Sequence, residues 1–587
     1  MGGRGSPKQQ FEVGRRSDSK SGQSSTGLIR SYSNYQYINH FVFGGDVEQR
    51  HFKRAAVDVG VNGDNDTLPF DLDIRFVKER QDLLAELANK CFSSLESMNK
   101  DAVRHTVNSL EVFSERLLTP AGPAGFRITT KIHPFWNVYI NGLAVAIAEK
   151  LEPSRSPRAH SYRFVGDGAK LFDLRRSWRA FREACVAECE ASSGELYVVQ
   201  TDISSFYEHI YHHRIEGFLN GLFPETPKLA IQLDRFLSKL ASGRSFGLPV
   251  GGQCSRVLAE LVMQVVDTAL TDHGIKWHRY VDDFVLITAS QAEAYQAVAT
   301  LSNVLADLGL SLNKSKTTIL SGRHFIDYVR TQLGSDEDSA TISLKEIDLR
   351  FDPYSDTALE DYTALRGLVE HIDLQKMLKL ELEKSVPDTF LVAQIGRTLR
   401  YQEPAIALKL VEALLAPANL HAFRASWSTI MRGIAAVRDD EQFETIFEGI
   451  DSLLDEVAIH SSHLLTVDTS CLHYLRALRY RKTEKRAQFV SSLYRSTQSV
   501  IIKRACIDCW RIWKDFAAFM QVRNRWQIIS PEEQRMLWLC SKSFDDDGKN
   551  FRSQEKRSAL RYWALGMTVN HEQEFAEAFI DWAQSWS

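Results

Sequence analysis

Hydrophobic and polar positions follow different periods along the chain. Residues 83–95 place apolar side chains at helical spacing, whereas 196–199 is a short apolar run that is typical of a buried strand. Residues 277–287 predict two further strands, provided that a turn divides them. From about residue 53 to 345 the pattern therefore predicts a mixture of helices and strands.

Beyond about residue 350 the pattern is almost purely helical. One apolar stripe at three- and four-residue spacing comprises Phe443, Ile446, Phe447, Ile450, Leu453, Leu454 and Val457. No fixed period repeats across this region, so stacked helix pairs are expected but a regular solenoid is not. Residues 1–52 are rich in Gly, Ser, Arg and Gln and predict a flexible tail, followed by an α/β region at 53–345 and an all-α domain at 346–587.

Composition and charge narrow the class of protein. With 587 residues, 44% hydrophobic and 25% charged, the chain is expected to fold rather than to be disordered or fibrous. Its 71 basic and 75 acidic side chains create no global positive field, so a polyanion needs local basic patches. Eight scattered cysteines and no apolar signal segment near Met1 predict a reduced, cytoplasmic protein, and no apolar stretch is long enough to cross a membrane.

Three aspartates are the candidates for chemistry. Asp202 ends a predicted strand, and Ser204 or Ser205 can cap the helix expected after it. Asp282 and Asp283 lie at the tip of the predicted hairpin, where two like charges about 4 Å apart repel by about 4 kcal/mol at an effective dielectric of 20. If Asp202 lies beside the pair, the site suits two Mg²⁺-type ions that activate a 3′-hydroxyl and stabilise a leaving pyrophosphate. A solvated turn is the alternative.

The segments around these aspartates resemble the palm motifs A, B, C and D of reverse transcriptases, in order. They are residues 202–207, 247–255, 280–283 and 310–317. Residues 131–137, residues 161–164 and the helical C-terminal region further resemble the bacterial antiviral reverse transcriptases, namely the abortive-infection AbiK-like and the unknown-group, defence-associated enzymes. The resemblance implies an α+β reverse-transcriptase palm and fingers followed by an all-α, helical-repeat-like C-terminal domain. It also implies phage defence and, in several members, protein-primed DNA synthesis that sometimes uses no template.

The resemblance assigns roles to individual residues. Asp202, Asp282, Asp283 and the carbonyl of Ile203 would bind two Mg²⁺ ions, with Mn²⁺ as the alternative metal. Phe206 would be the steric gate against a 2′-hydroxyl, and Tyr207 is the competing candidate. The remaining implied nucleotide contacts are Pro249, Val250, Gly251 and the motif D lysine, Lys316. Many relatives carry Gln where this chain has Val250, which leaves that contact open.

Two basic runs are less specific. The first contains Arg155, Arg158, Arg163, Lys170, Arg175, Arg176, Arg179 and Arg182, of which Arg163 and Lys170 are the preferred triphosphate ligands. The second, within 476–495, interleaves cations with aromatic residues, as single-stranded nucleic-acid sites do. The alternative for the second run is a solvated helix face whose aromatic side chains point inward.

The predicted function is an antiviral DNA polymerase of the reverse-transcriptase family that uses dNTPs and makes single-stranded DNA. Protein priming would attach this product covalently, and the candidate primers are Tyr480, Tyr494, Tyr474 and Tyr401, with a serine not excluded. Template-independent synthesis and a bound non-coding RNA as template both stay open, and a homo-oligomer is expected. The alternatives are a conventional RNA-templated enzyme of the retron or intron kind, and a polymerase-like scaffold that binds a phage or host protein.

Overall fold

The computed structural model of the protein describes residues 47–63, 71–122, 125–166, 170–173, 175–333, 339–347, 358–567 and 573–585. Residues 1–46 of the predicted flexible tail lie outside this set. The described residues all belong to one compact unit. Within them, no helix combines the length and the apolar composition that crossing a membrane requires.

The N-terminal part is a helical layer with one hairpin. Its helices are α1 (Gln49–Asn62), α2 (Leu72–Glu79), α3 (Gln81–Ser97), α4 (Lys100–Ser109) and α5 (Pro134–Leu151), and its strands are β1 (Ser114–Ala121) and β2 (Gly125–Ile132). Pro134 is suited to the first turn of α5 because its missing N–H would have no helical partner there. Most of α5 is buried, as its near-continuous apolar sequence predicts, so it is the central helix of this layer.

A four-stranded antiparallel sheet follows, in the order β4-β5-β3-β6. Its strands are β3 (Tyr197–Asp202), β4 (Lys276–Tyr280), β5 (Asp283–Thr288) and β6 (Thr318–Ser321). The helices of this region are α6 (Trp178–Glu190), α7 (Phe206–His209), α8 (His212–Leu222), α9 (Pro227–Leu240), α10 (Gln253–Asp272), α11 (Gln291–Asp307) and α12 (Gly322–Gln332). The strand predicted at 196–199 and the hairpin predicted at 277–287 are both confirmed.

Alternation along the strands determines which face carries the chemistry. Val198 and Val285 pack with Phe181 of α6 and Phe325 of α12, whereas Val199 belongs to the main core on the other face. Because strand side chains alternate, Asp202 and Asp283 lie on the face that α6 and α12 partly cover.

The C-terminal region is helical throughout its described residues. Its helices are α13 (Ser339–Glu346), α14 (Ala358–Val369), α15 (Leu374–Glu383), α16 (Thr389–Thr398), α17 (Pro404–Leu415), α18 (Pro417–Leu420), α19 (Trp427–Arg438), α20 (Phe447–His460), α21 (Asp468–Leu478), α22 (Glu484–Ser496), α23 (Val500–Trp513), α24 (Phe516–Arg523), α25 (Pro531–Cys540), α26 (Asp545–Tyr562) and α27 (Glu574–Ser585). An α/β region followed by a helical region confirms the predicted fold class. The domain boundaries at 52 and 345 stay predictions.

Two local predictions need correction. The stripe from Phe443 to Val457 does not lie on one helix, because a 3₁₀ segment at Glu441–Ile446 precedes α20. The helix after Asp202 is only α7, and Ser205 at its N-terminus has a left-handed φ of 46° and no side-chain capping hydrogen bond. A tight turn, rather than a capped helix, therefore leads out of β3.

Candidate active site

The structure brings the three predicted aspartates together at one end of the sheet. Asp202 is the last residue of β3 and faces Asp283, the first residue of β5, as its direct partner across the strand pair. Asp282 lies in the turn between β4 and β5, and its carboxyl group is hydrogen-bonded to that of Asp202. The N–H of Ile203 donates to the Asp282 carbonyl at 3.2 Å, which holds the turn against the end of β3.

The electrostatics of these carboxyl groups suit a divalent cation. Burial, then the charges of Asp202 and Asp283, raise the pKa of Asp282 above its usual range. Burial and the charge of Asp202 likewise raise the pKa of Asp283, against smaller opposite effects of Lys316 and Arg182. Carboxylate oxygens are the ligands that Mg²⁺ prefers, and a bound cation would offset the repulsion among the three aspartates. The residues therefore fit such an ion.

The described side chains do not already form a metal cage. Among them, no group of three or more His, Cys, Asp or Glu side chains is arranged around one ion position. Lys316 instead places its Nζ 2.6 Å from Oδ2 of Asp202, and this ion pair raises the pKa of the lysine. The predicted motif D lysine therefore lies at the carboxylates.

The turn that carries Asp282 is strained, and side chains of neighbouring segments hydrogen-bond to its backbone. Val281 has a φ of 58°, which is unfavourable for a β-branched residue. Its N–H donates to Ser161 Oγ at 2.9 Å, and its carbonyl accepts from Arg279 Nη1 at 2.9 Å. These contacts fix the direction in which Asp282 leaves the hairpin.

A buried ion-pair network lies beneath this turn. The Arg279 guanidinium donates to Asp267 at 2.8 Å and to Glu260 at 2.8 Å, and Arg155 donates to Glu260 at 2.6 Å. This ion-pair network was not among the features predicted from the sequence. Its signal was that Glu260 and Asp267, seven residues apart, both interrupt the long apolar stretch of α10 on one helix face.

Both gate candidates are held firmly beside the triad. Phe206 is only 3% exposed, and its ring centroid lies 5.3 Å from that of Tyr207. Tyr207 is hydrogen-bonded to Tyr162, and burial raises the pKa of its hydroxyl. Two adjacent aromatic rings, one of them buried and the other hydrogen-bonded, thus lie where β3 ends.

The motif B loop, residues 247–255, is hydrogen-bonded through its main chain to the β1–β2 hairpin. The Val250 carbonyl accepts from the N–H of Thr130 in β2 at 2.7 Å, and the Pro249 carbonyl accepts from the Ser255 hydroxyl. Gly251 has a φ of 146°, which favours glycine. The hydrogen bond between Val250 and Thr130 uses the backbone of Val250 and does not require a particular side chain, and the predicted contact of Val250 to the nucleotide stays a prediction.

The first basic run is largely neutralised by neighbouring acids. The pairs are Arg155 with Glu152 and Glu260, Arg158 with Glu188, Arg163 with Glu152, Arg175 with Asp173, and Arg179 with Glu183. Arg163 Nη1 also donates to the carbonyls of Ser156 and Ala159, so much of its hydrogen-bonding capacity is used within the fold. Lys170, the other predicted triphosphate ligand, is exposed.

The four candidate priming tyrosines lie in the helical region and do not line the cavity at the carboxylates. The Tyr474 hydroxyl donates to the Leu454 carbonyl at 2.9 Å, and the Tyr494 hydroxyl donates to Glu533 at 3.0 Å. Burial raises the pKa of Tyr401 to about 12 and also raises that of the half-buried Tyr480. The aromatic side chains of the second basic run thus pack largely into the helical core.

A cavity of about 510 Å³ adjoins the carboxylates on the covered face of the sheet. Its lining includes Asp202, Asp283 and Lys316 together with Arg182 of α6 and Tyr328 of α12. Arg182 was one of several cations in the first run and had no distinguishing sequence signal, and Tyr328 had none either.

One part of the α/β region matches a known protein family. Residues 142–337 match the sequence profile of the family described as reverse transcriptase (RNA-dependent DNA polymerase). The chain therefore contains a reverse-transcriptase domain, which confirms the predicted enzyme class. Among curated proteins, no relative matches the chain.

Solved structures with partial similarity include telomerases from two yeasts. Apo telomerase from Candida tropicalis truncated from the C-terminal domain is 13% identical, with a TM-score of 0.27, over 39% of this chain and 55% of that one. Apo telomerase from Candida tropicalis is 13% identical, with a TM-score of 0.29, over 60% and 65%. Telomerase from Candida albicans in complex with a fragment of telomeric RNA is 12% identical, with a TM-score of 0.26, over 60% and 68%. The chain spans just over half the length of the first of these telomerases.

Proposed function

Since residues 142–337 contain a reverse-transcriptase domain, we propose that the protein synthesises DNA by nucleotidyl transfer at Asp202, Asp282 and Asp283. The observation that carries this proposal is the pairing of Asp202 with Asp283 across adjacent strands, with Asp282 hydrogen-bonded beside them. In this reaction the 3′-hydroxyl of the strand loses its proton and its oxygen bonds to the α-phosphorus of a dNTP. The bond from that phosphorus to the oxygen that bridges the α- and β-phosphates breaks, which releases pyrophosphate.

The three carboxylates and the carbonyl of Ile203 would hold two Mg²⁺ ions, or Mn²⁺ in their place. Such ions lower the pKa of the attacking hydroxyl and stabilise the negative charge of the leaving group. Lys316 places a cationic donor at the same carboxylates, where it can contact the phosphates. Phe206 would exclude a 2′-hydroxyl and thereby favour deoxynucleotides, with Tyr207 as the alternative gate.

We further propose an antiviral role and priming by a hydroxyl of the protein itself. The support is the resemblance to abortive-infection enzymes together with the helical C-terminal region, in which no clamp for a duplex primer is recognisable in the sequence. Tyr480 is the first candidate because Tyr474 and Tyr494 already donate their hydroxyl hydrogens within the core. Tyr401 is the next candidate.

The deciding experiment supplies purified protein with each labelled dNTP, with and without an RNA template. The polymerase proposal is supported if the wild type incorporates label and the double variant Asp282→Asn, Asp283→Asn does not. Equal incorporation by the two proteins would refute it. Strict dependence on a template and an annealed primer favours the conventional enzyme. Phage protection by a variant that incorporates nothing favours the scaffold.

Protein priming is tested on a denaturing gel run before and after protease digestion. Label that stays with the protein until digestion supports covalent attachment, and mass spectrometry of the labelled peptide then identifies the residue. Label that migrates as free DNA without digestion excludes this mode of initiation.

The cellular setting that we propose is a cytoplasmic homo-oligomer that holds single-stranded DNA, with a non-coding RNA as a candidate template. All eight cysteines are free and buried, which is compatible with a reducing compartment. The 260/280 nm absorbance ratio and nuclease sensitivity of the purified protein test for bound nucleic acid, and light scattering gives the number of subunits.

A further inference from the structure

Arg182 has no acidic partner among the described residues, unlike most arginines of the first basic run. Arg158 and Arg179, which precede it in the chain, form ion pairs with Glu188 and Glu183. In the part of the chain that the structure describes, Arg182 has no carboxylate within ion-pair distance. Its side chain belongs to α6, lies on the covered face of the palm sheet and lines the cavity at the carboxylates.

No carboxylate of the described residues contacts the guanidinium of Arg182 directly, although the charge of Asp283 acts on it at longer range. The residue is only 5% exposed, and its Nη2 donates to the side-chain oxygens of Gln200 at 2.8 Å and Gln332 at 3.0 Å. Its buried Nε has no hydrogen-bond partner among the described residues. Neutral amide oxygens solvate the cation in part but supply no counter-charge.

Aromatic rings complete the environment of this guanidinium. The rings of Trp178, Phe181, Phe325 and Tyr328 lie 5.5, 5.9, 5.2 and 5.9 Å from its central carbon. They stabilise a cation through their π faces, yet a buried charge with no counter-ion in contact remains costly. An anion that enters the cavity would remove that cost.

We propose that Arg182 binds a backbone phosphate of the DNA strand whose 3′ end is extended at the aspartates, an inference that rests on the proposed function. The cavity of about 510 Å³ lies within the roughly 300–1,000 Å³ of ligand sites. Its wall includes Asp202 and Asp283, so a phosphate at Arg182 belongs to a nucleotide close to the reacting end. Trp178 and Tyr328, which is 47% exposed, provide rings for the terminal base.

The test measures strand binding apart from chemistry. Fluorescence anisotropy of a short labelled oligothymidylate is recorded with Ca²⁺ and without dNTP, over a range of salt concentrations. Arg182→Gln is expected to weaken binding about tenfold, because a charge-assisted hydrogen bond is lost. The plot of log K against log salt should also become shallower by about 0.7, because one phosphate contact to a single strand is removed.

Matched variants separate this role from folding and from general charge. Arg179→Gln removes an exposed arginine from the same helix and should leave affinity and salt slope unchanged. Arg182→Lys keeps the charge and should keep the salt slope while losing part of the affinity. If Arg182→Gln proves unfolded by circular dichroism, Tyr328→Ser at the cavity mouth replaces it, with an expected loss of about tenfold from base stacking.

Each result has a distinct meaning. Wild-type affinity and slope in folded Arg182→Gln would overturn the proposal, as would unchanged affinity in Tyr328→Ser if that variant must be used. Weaker competition by dNTP or pyrophosphate, with unchanged oligonucleotide binding, would assign the phosphate to the nucleotide and overturn it too. A wild type that binds the strand through Arg182 but incorporates nothing would instead refute only the proposed polymerase.

Discussion

Asp282 is a carboxyl group whose ionisation the fold opposes. Burial and the two neighbouring aspartates raise its pKa to about 7, well above the unfolded value. A raised carboxyl pKa means that the folded protein binds a proton that the unfolded chain has already lost. Without metal, stability is therefore expected to fall as the pH rises from about 4 to about 7.

Asp282→Asn together with Asp283→Asn should abolish incorporation and leave the fold intact. Because the repulsion disappears, the metal-free double variant should be more stable than wild type by on the order of 2 kcal/mol at pH 8, with a smaller difference at pH 5. Thermal unfolding in EDTA at both pH values measures this. A double variant that is less stable than wild type at pH 8 would contradict the electrostatic account.

Phe206 and Tyr207 compete for the role of sugar gate. Phe206→Ala should raise incorporation of rNTP relative to dNTP by about tenfold or more, because it opens space beside the sugar. Single-nucleotide incorporation with each triphosphate gives the ratio. Tyr207→Phe, which keeps the ring and loses the hydrogen bond to Tyr162, is the control and should leave the ratio unchanged. A change with Tyr207→Ala but not with Phe206→Ala would move the gate by one residue.

At the scale of the element, the position of the β4–β5 hairpin depends on the buried residues that its turn contacts. Its strained turn at Val281 is held by Ser161 and by Arg279, which is itself enclosed by Glu260 and Asp267. The hairpin therefore depends on α10 for the position of its acidic tip.

Arg279→Met should destabilise the protein by about 3–5 kcal/mol, since it leaves the buried carboxylate of Asp267 without its partner and removes one of the two arginines that pair with Glu260. Urea denaturation measures this loss. The control is Arg330→Met, which breaks the exposed pair with Glu190 and should cost less than about 1 kcal/mol. Equal effects of the two substitutions would mean that the buried network does not support the hairpin.

At the scale of the whole molecule, the C-terminal helices return to the N-terminal layer. The guanidinium of Arg504 in α23 lies 3.0 Å from the carboxylates of Asp71 and Asp73. Asp71 immediately precedes α2, and Asp73 lies within it. Phe76 of α2 packs against Phe579 of α27 with ring centroids 5.2 Å apart. The C-terminal helices and the N-terminal layer should therefore lose structure together.

Arg504→Met should raise amide hydrogen exchange in α2 as well as in α23, because two buried aspartates of the N-terminal layer lose a counter-charge. Exchange followed by mass spectrometry resolves the two helices. Lys549→Met, at an exposed pair on α26, is the control and should change neither helix. Increased exchange confined to α23 would show that the two layers unfold independently.

Much of the architecture could be predicted from the sequence because it depends on local pattern. The strand that ends at Asp202, the hairpin that carries Asp282 and the helical C-terminal region all follow from the spacing of apolar residues over short segments. The order of the four palm motifs likewise needs only the linear chain. Short-range periodicity predicts these elements because the spacing of apolar residues determines which face of a helix or strand can be buried.

Contacts between distant segments were decided by tertiary structure alone. Arg163 and Arg182 are both cations of one run, yet Arg163 meets Glu152, while Arg182 meets only amides and rings. Tyr474 and Tyr494 lie among cations in the sequence, but their hydroxyl groups bond inside the helical core. Sequence pattern indicates that a side chain is charged or aromatic. Which partner balances it depends on how elements far apart in the chain pack, and that packing sets both its burial and its chemistry.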